Sequence, residues 1–410
     1  MAIARRQILK GAIGSTALAA TSTLPVFAQD SNEIVVGSLH DLSGGIEVYG
    51  KPMEDALRLA VEEINGAGGL LGKQVRVVTM DPQSNMQLYR RNAQQMVLED
   101  RISVLFGGIT SASREVIRPT MKRLNTLYFY NTQYEGGVCD RNTFCTGLTP
   151  AQNLDKLIPY VTKRWGNKIY VIAADYNYGQ ITSDWIRKYA KDGGATVIAT
   201  DFFPLDVNQF GPTIQKIQAA KPDLLMSVLV GGAHLAFYRQ WAAAGMNRQI
   251  PMASTTFNNG NEHIALAPSE SQGIVTAFSY FESIDSPTNK AFVARWRSKY
   301  GIGYPYIGEL AAATYQGVHL WALGVKKAGS VARMKVIAAL ESGLSFNGPS
   351  GKVTIDPATH HCTLDIQIAE CADRKWKLLE SYSQQRPIDT AAVCNLHKHP
   401  GESRQYVIKI

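Results

Sequence analysis

Two rhythms of apolar residues alternate along most of this chain. Ile34-Val35-Val36-Gly37-Ser38-Leu39 is a short run suited to a strand buried on both faces, and Met53, Leu57, Val61 and Ile64 follow it at helical spacing. Pro52 stands near the start of that helix and Gly66 near its end, where each is best tolerated. Further strands are expected at Gln74–Met80, Ile102–Phe106, Leu127–Phe129, Ile169–Ala174, Thr196–Phe202, Leu224–Leu229 and Ile274–Ala277. Helices are expected between them at Met86–Leu98, Arg114–Arg123, Leu154–Arg164, Ile181–Tyr189, Pro212–Ala219 and Leu235–Ala244. Strands separated by helices of this length make βαβ units, so the fold class is α/β, with parallel sheets flanked by helices.

After Ser286 the rhythm changes to consecutive helices, Asn289–Tyr300, Ile307–Lys326 and Ala332–Leu340. A hairpin then pairs Cys362–Glu370 with Trp376–Tyr382 across Ala372-Asp373-Arg374-Lys375. Beyond Ser383 the chain is polar and carries Pro387 and Pro400, so an irregular tail wrapping the surface is expected.

Three strand ends share one design. Ile102–Phe106 runs into Gly107-Gly108-Ile109-Thr110-Ser111-Ala112-Ser113, Leu127–Phe129 into Tyr130-Asn131-Thr132-Gln133-Tyr134-Glu135-Gly136, and Ile169–Ala174 into Asp175-Tyr176-Asn177-Tyr178-Gly179. Ligands of open parallel sheets sit beyond the carboxyl ends of strands, where helix N-termini present free N–H groups. These hydroxyl and aromatic residues are therefore expected to line a pocket for a small, mostly uncharged molecule. Tyr176 and Tyr178 would share one side of an extended segment, Gly231 and Gly232 would allow close backbone approach, and Phe257 and Tyr280 are further candidates.

The N-terminus narrows the setting. Arg5-Arg6-Gln7-Ile8-Leu9-Lys10, the apolar stretch Gly11–Ala20 and Val26-Phe27-Ala28 read as an export signal of twin-arginine type over residues 1–28, and no later stretch is expected to span a membrane. Arg5, Arg6 and Lys10 account for three of the formal +8 charges of the 410-residue chain; the other basic residues are scattered among acids, which argues against nucleic acid as a partner. Five cysteines in an exported chain leave at least one outside intramolecular bridges. Cys139 and Cys145 enclose a short polar loop and are expected to pair. Cys362 and Cys371 would lie ~30 Å apart on one strand, so Cys394 is expected to take one of them.

On these same segments, with Tyr280-Phe281-Glu282-Ser283-Ile284-Asp285 and Gly348-Pro349-Ser350-Gly351, the chain from about Ile34 to Lys377 resembles periplasmic solute-binding proteins of the branched-chain amino acid type. Within that group it looks most like the amide- and urea-binding branch. The resemblance implies the type I periplasmic binding fold, two lobes joined by a three-crossover hinge. Lobe 1 would combine 29–148 with 277–355, and lobe 2 would combine 149–276 with 356–410. It further implies a periplasmic protein that closes on its ligand and delivers it to inner-membrane permease subunits of an ABC transporter. Ser111 and Thr132 stand where the family places hydroxyls on ligand oxygen, although Ser111 or Ser113 reads equally well as a helix N-cap. Tyr130, Tyr134, Tyr176, Tyr178, Gly231 and Phe257 complete the expected site. Gly179 replaces the proline usual in amide and urea binders, which leaves amino acids as the alternative ligand.

A free amino acid needs acceptors for its ammonium. Gly232 stands where some relatives place an acid, which leaves Glu135 and Glu47 and favours a neutral amide or urea. An amidase-type enzyme would need a nucleophile elbow or metal motif, and neither is present, so no catalytic residue and no cofactor is expected. His360-His361-Cys362 and Cys394-x-x-His397-x-His399 are read as surface histidines and bridged cysteines, not as a metal site. A sensor that docks on a receptor would use the same pocket.

Overall fold

A strand that is apolar on both faces needs neighbours in the sheet and helices above and below it, and the chain supplies both. The computed structural model describes residues 33–407, so the expected signal at 1–28 lies outside the described residues. Its first six strands are β1 (Glu33–Leu39), β2 (Gln74–Thr79), β3 (Val104–Gly107), β4 (Leu127–Tyr130), β5 (Val138–Asp140) and β6 (Thr143–Cys145). Five of them form a parallel sheet in the order β2-β1-β3-β4-β6.

The second sheet takes β7 (Lys168–Ala174), β8 (Thr196–Phe203), β9 (Leu224–Val228), β10 (Met252–Ser254), β11 (Val275–Phe278), β12 (Ser345–Gly348), β13 (Gly351–Ile355), β14 (Cys362–Ala372) and β15 (Lys375–Gln385). Its order is β12-β13-β14-β11-β10-β9-β7-β8, with β15 pairing β14. Strands β7 to β11 are parallel, and β14 joins them antiparallel through Val275–Phe278. Between β11 and β12 the chain returns to the first sheet. There Glu63 on the helix Glu47–Gly66 accepts from Arg295 Nε and from the Tyr315 hydroxyl, both at 2.6 Å, so the late helices are tied to the first one.

The tail departs from the irregular segment expected. It forms a short helix, Ile388–Ala391, and a strand, β16 (Ser403–Gln405), which pairs antiparallel with β5. Buried Asp389 accepts from the Thr149 hydroxyl at 2.8 Å and from Ala151 N–H at 3.0 Å, so the tail caps the helix Pro150–Trp165.

The disulfide expectation is also corrected. Cys139 is bonded to Cys394, 255 positions away, while Cys145, Cys362 and Cys371 are free and buried. The short loop misled because its two ends belong to different ladders. Cys139 lies on β5 opposite Arg404 of the tail, whereas Cys145 lies on β6 opposite Tyr130 and donates its N–H to the His360 carbonyl. Burial pushes the Cys145 thiol up to about 12 and the Cys371 thiol up to about 11, so neither is a thiolate at neutral pH. Non-reducing peptide mapping is expected to give a Cys139–Cys394 peptide. Cys394→Ser should lower unfolding stability by about 2–4 kcal/mol, measured in denaturant, with Cys145→Ser breaking no bridge.

Candidate functional site: a small cavity between the two sheets

Where β3 ends, Gly107 passes so close to β1 that a Cβ would lie 2.5 Å from the Leu39 carbonyl oxygen, so the position takes only glycine. The chain then enters the helix Ser111–Arg123, and its cap is Thr110, in place of the Ser111 or Ser113 expected. Thr110 Oγ1 accepts from Ser113 N–H at 3.0 Å, and Ser113 Oγ donates to the Thr110 carbonyl at 2.8 Å. Relieved of capping, Ser111 Oγ donates to Glu135 Oε2 at 2.5 Å.

Glu135 centres a cluster with almost no contact with water. Arg114 Nη2 donates to its Oε1 at 3.0 Å, Gln405 Nε2 donates to the same oxygen, and Arg114 Nη2 also donates to Gln405 Oε1 at 2.8 Å. The Tyr130 and Tyr134 rings lie 5.0 and 4.4 Å from the Arg114 guanidinium. Their hydroxyls are used inside the protein: Tyr130 donates to the Ile109 carbonyl at 2.8 Å, and Tyr134 is hydrogen-bonded to His361 Nε2. These two tyrosines support the floor of the site from behind and do not wall its cavity.

Above this floor lies a cavity of about 30 Å³. Ser111, Thr132 and Gln133 line it from the ends of the first sheet, and Tyr176, Tyr178 and Thr256 from the ends of the second. Tyr49, Asn259, Ile109, Thr110, Val230 and Leu310 complete the wall. No Asp, Glu, Lys, Arg or His is among these described lining residues. The space holds about one or two water molecules, so any larger solute enters only if the walls part.

Tyr176 and Tyr178 share a side as expected, but by a different geometry. Tyr176 precedes the helix Asn177–Asp192 and Tyr178 occupies its first turn, their ring centroids 6.1 Å apart. Burial raises the Tyr178 phenol above its ordinary range, so it keeps its proton and donates to Thr255 Oγ1 at 3.0 Å. Gly231 has φ of 69° and gives its N–H to the Tyr49 hydroxyl at 3.0 Å, joining a helix start on the second sheet to the helix beside β1. Phe257 packs its ring edge-on against Tyr238 and Trp376 and does not line the cavity.

Tyr49, Gln133, Thr256 and Asn259 were not foreseen as wall residues. Gln133 sits inside a segment already singled out, between Thr132 and Tyr134. Thr256 and Asn259 follow β10, which obeys the same strand-end rule, but three residues are too few to show a period. His360 and His361, expected at the surface, are buried beside a free Cys362; His361 Nδ1 faces the Thr359 carbonyl at 2.7 Å and its Nε2 the Tyr134 hydroxyl. Among the described residues no group of three or more His, Cys, Asp or Glu is placed to hold a metal, and no helix is long and apolar enough to cross a membrane.

Residues 34–395 match the family model of the periplasmic binding protein domain. The Leu/Ile/Val-binding protein homolog 6 of Brucella melitensis is 23% identical over 370 residues, covering 88% of this chain and 93% of that protein. A solute-binding protein of an ABC transporter from Rhodopseudomonas palustris, solved with 3,4-dihydroxybenzoic acid, superimposes with a TM-score of 0.79 at 22% identity, covering 87% of this chain and 99% of the other. An amino acid ABC transporter substrate-binding protein from Pseudomonas fluorescens gives a TM-score of 0.78 at 21% identity, with coverages of 89% and 99%.

Proposed function

Since this chain belongs to the periplasmic binding protein domain family, we propose that it is the periplasmic substrate-binding component of an ABC importer. On this reading it captures a small neutral amide or urea-like solute and hands it to inner-membrane permease subunits. The lobes divide after residues 148, 276 and 355, with β12 and β13 reaching across to β14 and β16 reaching back to β5, and a hinge closes them over the ligand. The observation that carries the reading is the cavity wall: hydroxyls, carboxamides and phenols with no charged side chain among its described residues. Glu135, the acid nearest in sequence to Thr132, is committed to Arg114 and is poorly placed to neutralise a ligand ammonium.

A second reading, an aliphatic amino acid, draws on Ile109, Val230 and Leu310 in the same wall and on the names of the relatives. Urea, acetamide, propionamide, leucine and 4-hydroxybenzoate in a thermal-shift and calorimetric series separate the readings. An amide or urea is expected to raise the melting temperature and to be recovered unaltered; a ligand at 100 times its dissociation constant stabilises by about 2.7 kcal/mol. Ser111→Ala should weaken that binding by about 1–3 kcal/mol. Binding of leucine or 4-hydroxybenzoate with none of the amides would overturn the amide reading, and hydrolysis of the amide would overturn the binding-protein reading.

A further inference from the structure

Three hydroxyl protons of the cavity wall are already spent, while the phenols of Tyr49 and Tyr176 keep theirs. Ser111 Oγ donates to the Glu135 carboxylate at 2.5 Å, Thr132 Oγ1 to the Gly108 carbonyl at 3.4 Å and Thr256 Oγ1 to the Leu229 carbonyl at 2.7 Å. Carbonyls and carboxylates only accept, so the direction of each bond is fixed, and a hydroxyl has one proton to give. Toward the cavity Ser111 and Thr132 offer lone pairs, whereas Thr256 Oγ1 also meets Ser254 Oγ at 3.3 Å and His234 Nε2 at 3.4 Å.

Gln133 sharpens the pattern. It is 5% exposed, and its Nε2 donates to the Thr255 carbonyl at 2.6 Å, which fixes the amide nitrogen on that side. The opposite atom, Oε1, is buried without a partner, and so is Oδ1 of Asn259 in the same wall. A buried carboxamide oxygen left unpaired lacks a partner; Asn131, Asn247, Asn258 and Asn261 leave one as well, and Gln133 and Asn259 differ from them in lining the cavity. Tyr49 is the counterweight: its oxygen accepts from Gly231 N–H, which leaves its own proton available. On this reading Ser111 and Thr132 accept from the ligand, where the resemblance implies hydroxyls set on a ligand oxygen.

We propose that Gln133 is a specificity-determining residue of this cleft, its Oε1 accepting an N–H of the ligand, so that the site selects solutes that bring N–H donors over solutes of the same shape that do not. The proposal rests on the amide and urea reading and narrows it to ligands that carry at least one N–H. Such a solute meets the acceptors Oε1 of Gln133, Oγ of Ser111 and Oγ1 of Thr132 with its N–H groups, and its carbonyl takes the Tyr49 proton.

Urea, acetamide and acetone form a nearly isosteric ladder with two, one and no NH2 groups, and their dissociation constants can be measured by calorimetry on the full chain. Wild type is expected to bind acetamide at least tenfold more tightly than acetone. Gln133→Met, which keeps length and loses the acceptor, should weaken acetamide about five- to hundredfold and leave acetone unchanged. The melting temperature without ligand and the shorter Gln133→Leu variant control for misfolding. Acetone binding as well as acetamide in wild type, or an equal loss for all three probes in the variant, overturns the role of Gln133 while the amide reading stands. If neither urea nor acetamide binds and leucine does, the amide reading falls; a loss of leucine affinity in Gln133→Met then supports Gln133 as the N–H acceptor, and unchanged affinity overturns it. Tight binding of 4-hydroxybenzoate, which has no N–H, overturns both.

Discussion

Arg114→Met is expected to destabilise the protein by about 3–5 kcal/mol and to remove detectable solute binding. Arg114 and Glu135 have fully buried side chains, so their charges meet one another instead of water, with the part-exposed Glu115 as a second partner of Arg114 that Arg118 also holds. Removing the guanidinium leaves the Glu135 carboxylate with the Ser111 and Gln405 donors alone, and an uncompensated charge in that setting costs far more than the pair contributes. The wall loses definition as well, because Ser111 Oγ takes its orientation from Glu135. A double variant, Arg114→Met with Glu135→Met, separates the two effects. It removes both charges at similar volume and is expected to regain most of the stability without regaining binding, measured by urea unfolding and calorimetry. Equal stability of Arg114→Met and wild type would show that the pair does not hold the floor of the site.

Stability is expected to peak near pH 6.5 and to fall on both sides. His361 and His263 are buried, and burial pushes each imidazole down to about 4. The unfolded chain takes up a proton at each below about 6.5 and the folded chain does not, so acidification from 6.5 to 4 removes about 3 kcal/mol per histidine. Glu309 acts in the opposite direction. It is buried at the start of the helix Glu309–Ala328, with the Ser279 hydroxyl as its side-chain partner among the described residues, at 2.8 and 3.0 Å, and burial pushes its carboxyl up to about 7. The folded state keeps a proton there that the unfolded state has lost above about 4.5, so this contribution fades as pH rises and is gone above 7. Glu309→Gln should flatten the alkaline limb and stabilise the protein at pH 8 by about 3 kcal/mol, read from denaturant midpoints across pH. A profile that climbs from pH 6.5 to 8 in wild type would contradict the assignment.

The long elements were legible because each repeats its signal. β1, β7 and β9 are apolar on both faces, and helices such as Met86–Leu98 carry several turns of one spacing. β5, β6, β10 and β16 have three residues each, less than two periods of any strand pattern, and went unread. The site divides on a related principle. Ser111, Thr132, Tyr176 and Tyr178 follow directly from strand ends and do line the cavity, whereas Tyr130 and Tyr134 stand in the same sequence neighbourhood with their rings on Arg114. Neighbourhood along the chain gives the strand end, and only the packed cation decides which way each ring turns. The cysteines carry the same lesson, since Cys139 and Cys145 are near in sequence but lie on strands with different partners.

Gln405 reaches Glu135 from 270 positions along the chain. Ser111 and Arg114 stand just past β3 and Glu135 just past β4, and the group that completes their bonding comes from the tail, beyond the β14–β15 hairpin. The hairpin of β14 and β15 closes the second sheet before that point, so a chain stopped just after it has both sheets and an unfinished floor. A change of sequence around residues 403–405 is thereby expected to loosen the cavity floor without touching either sheet, because it reaches Ser111 by way of Glu135.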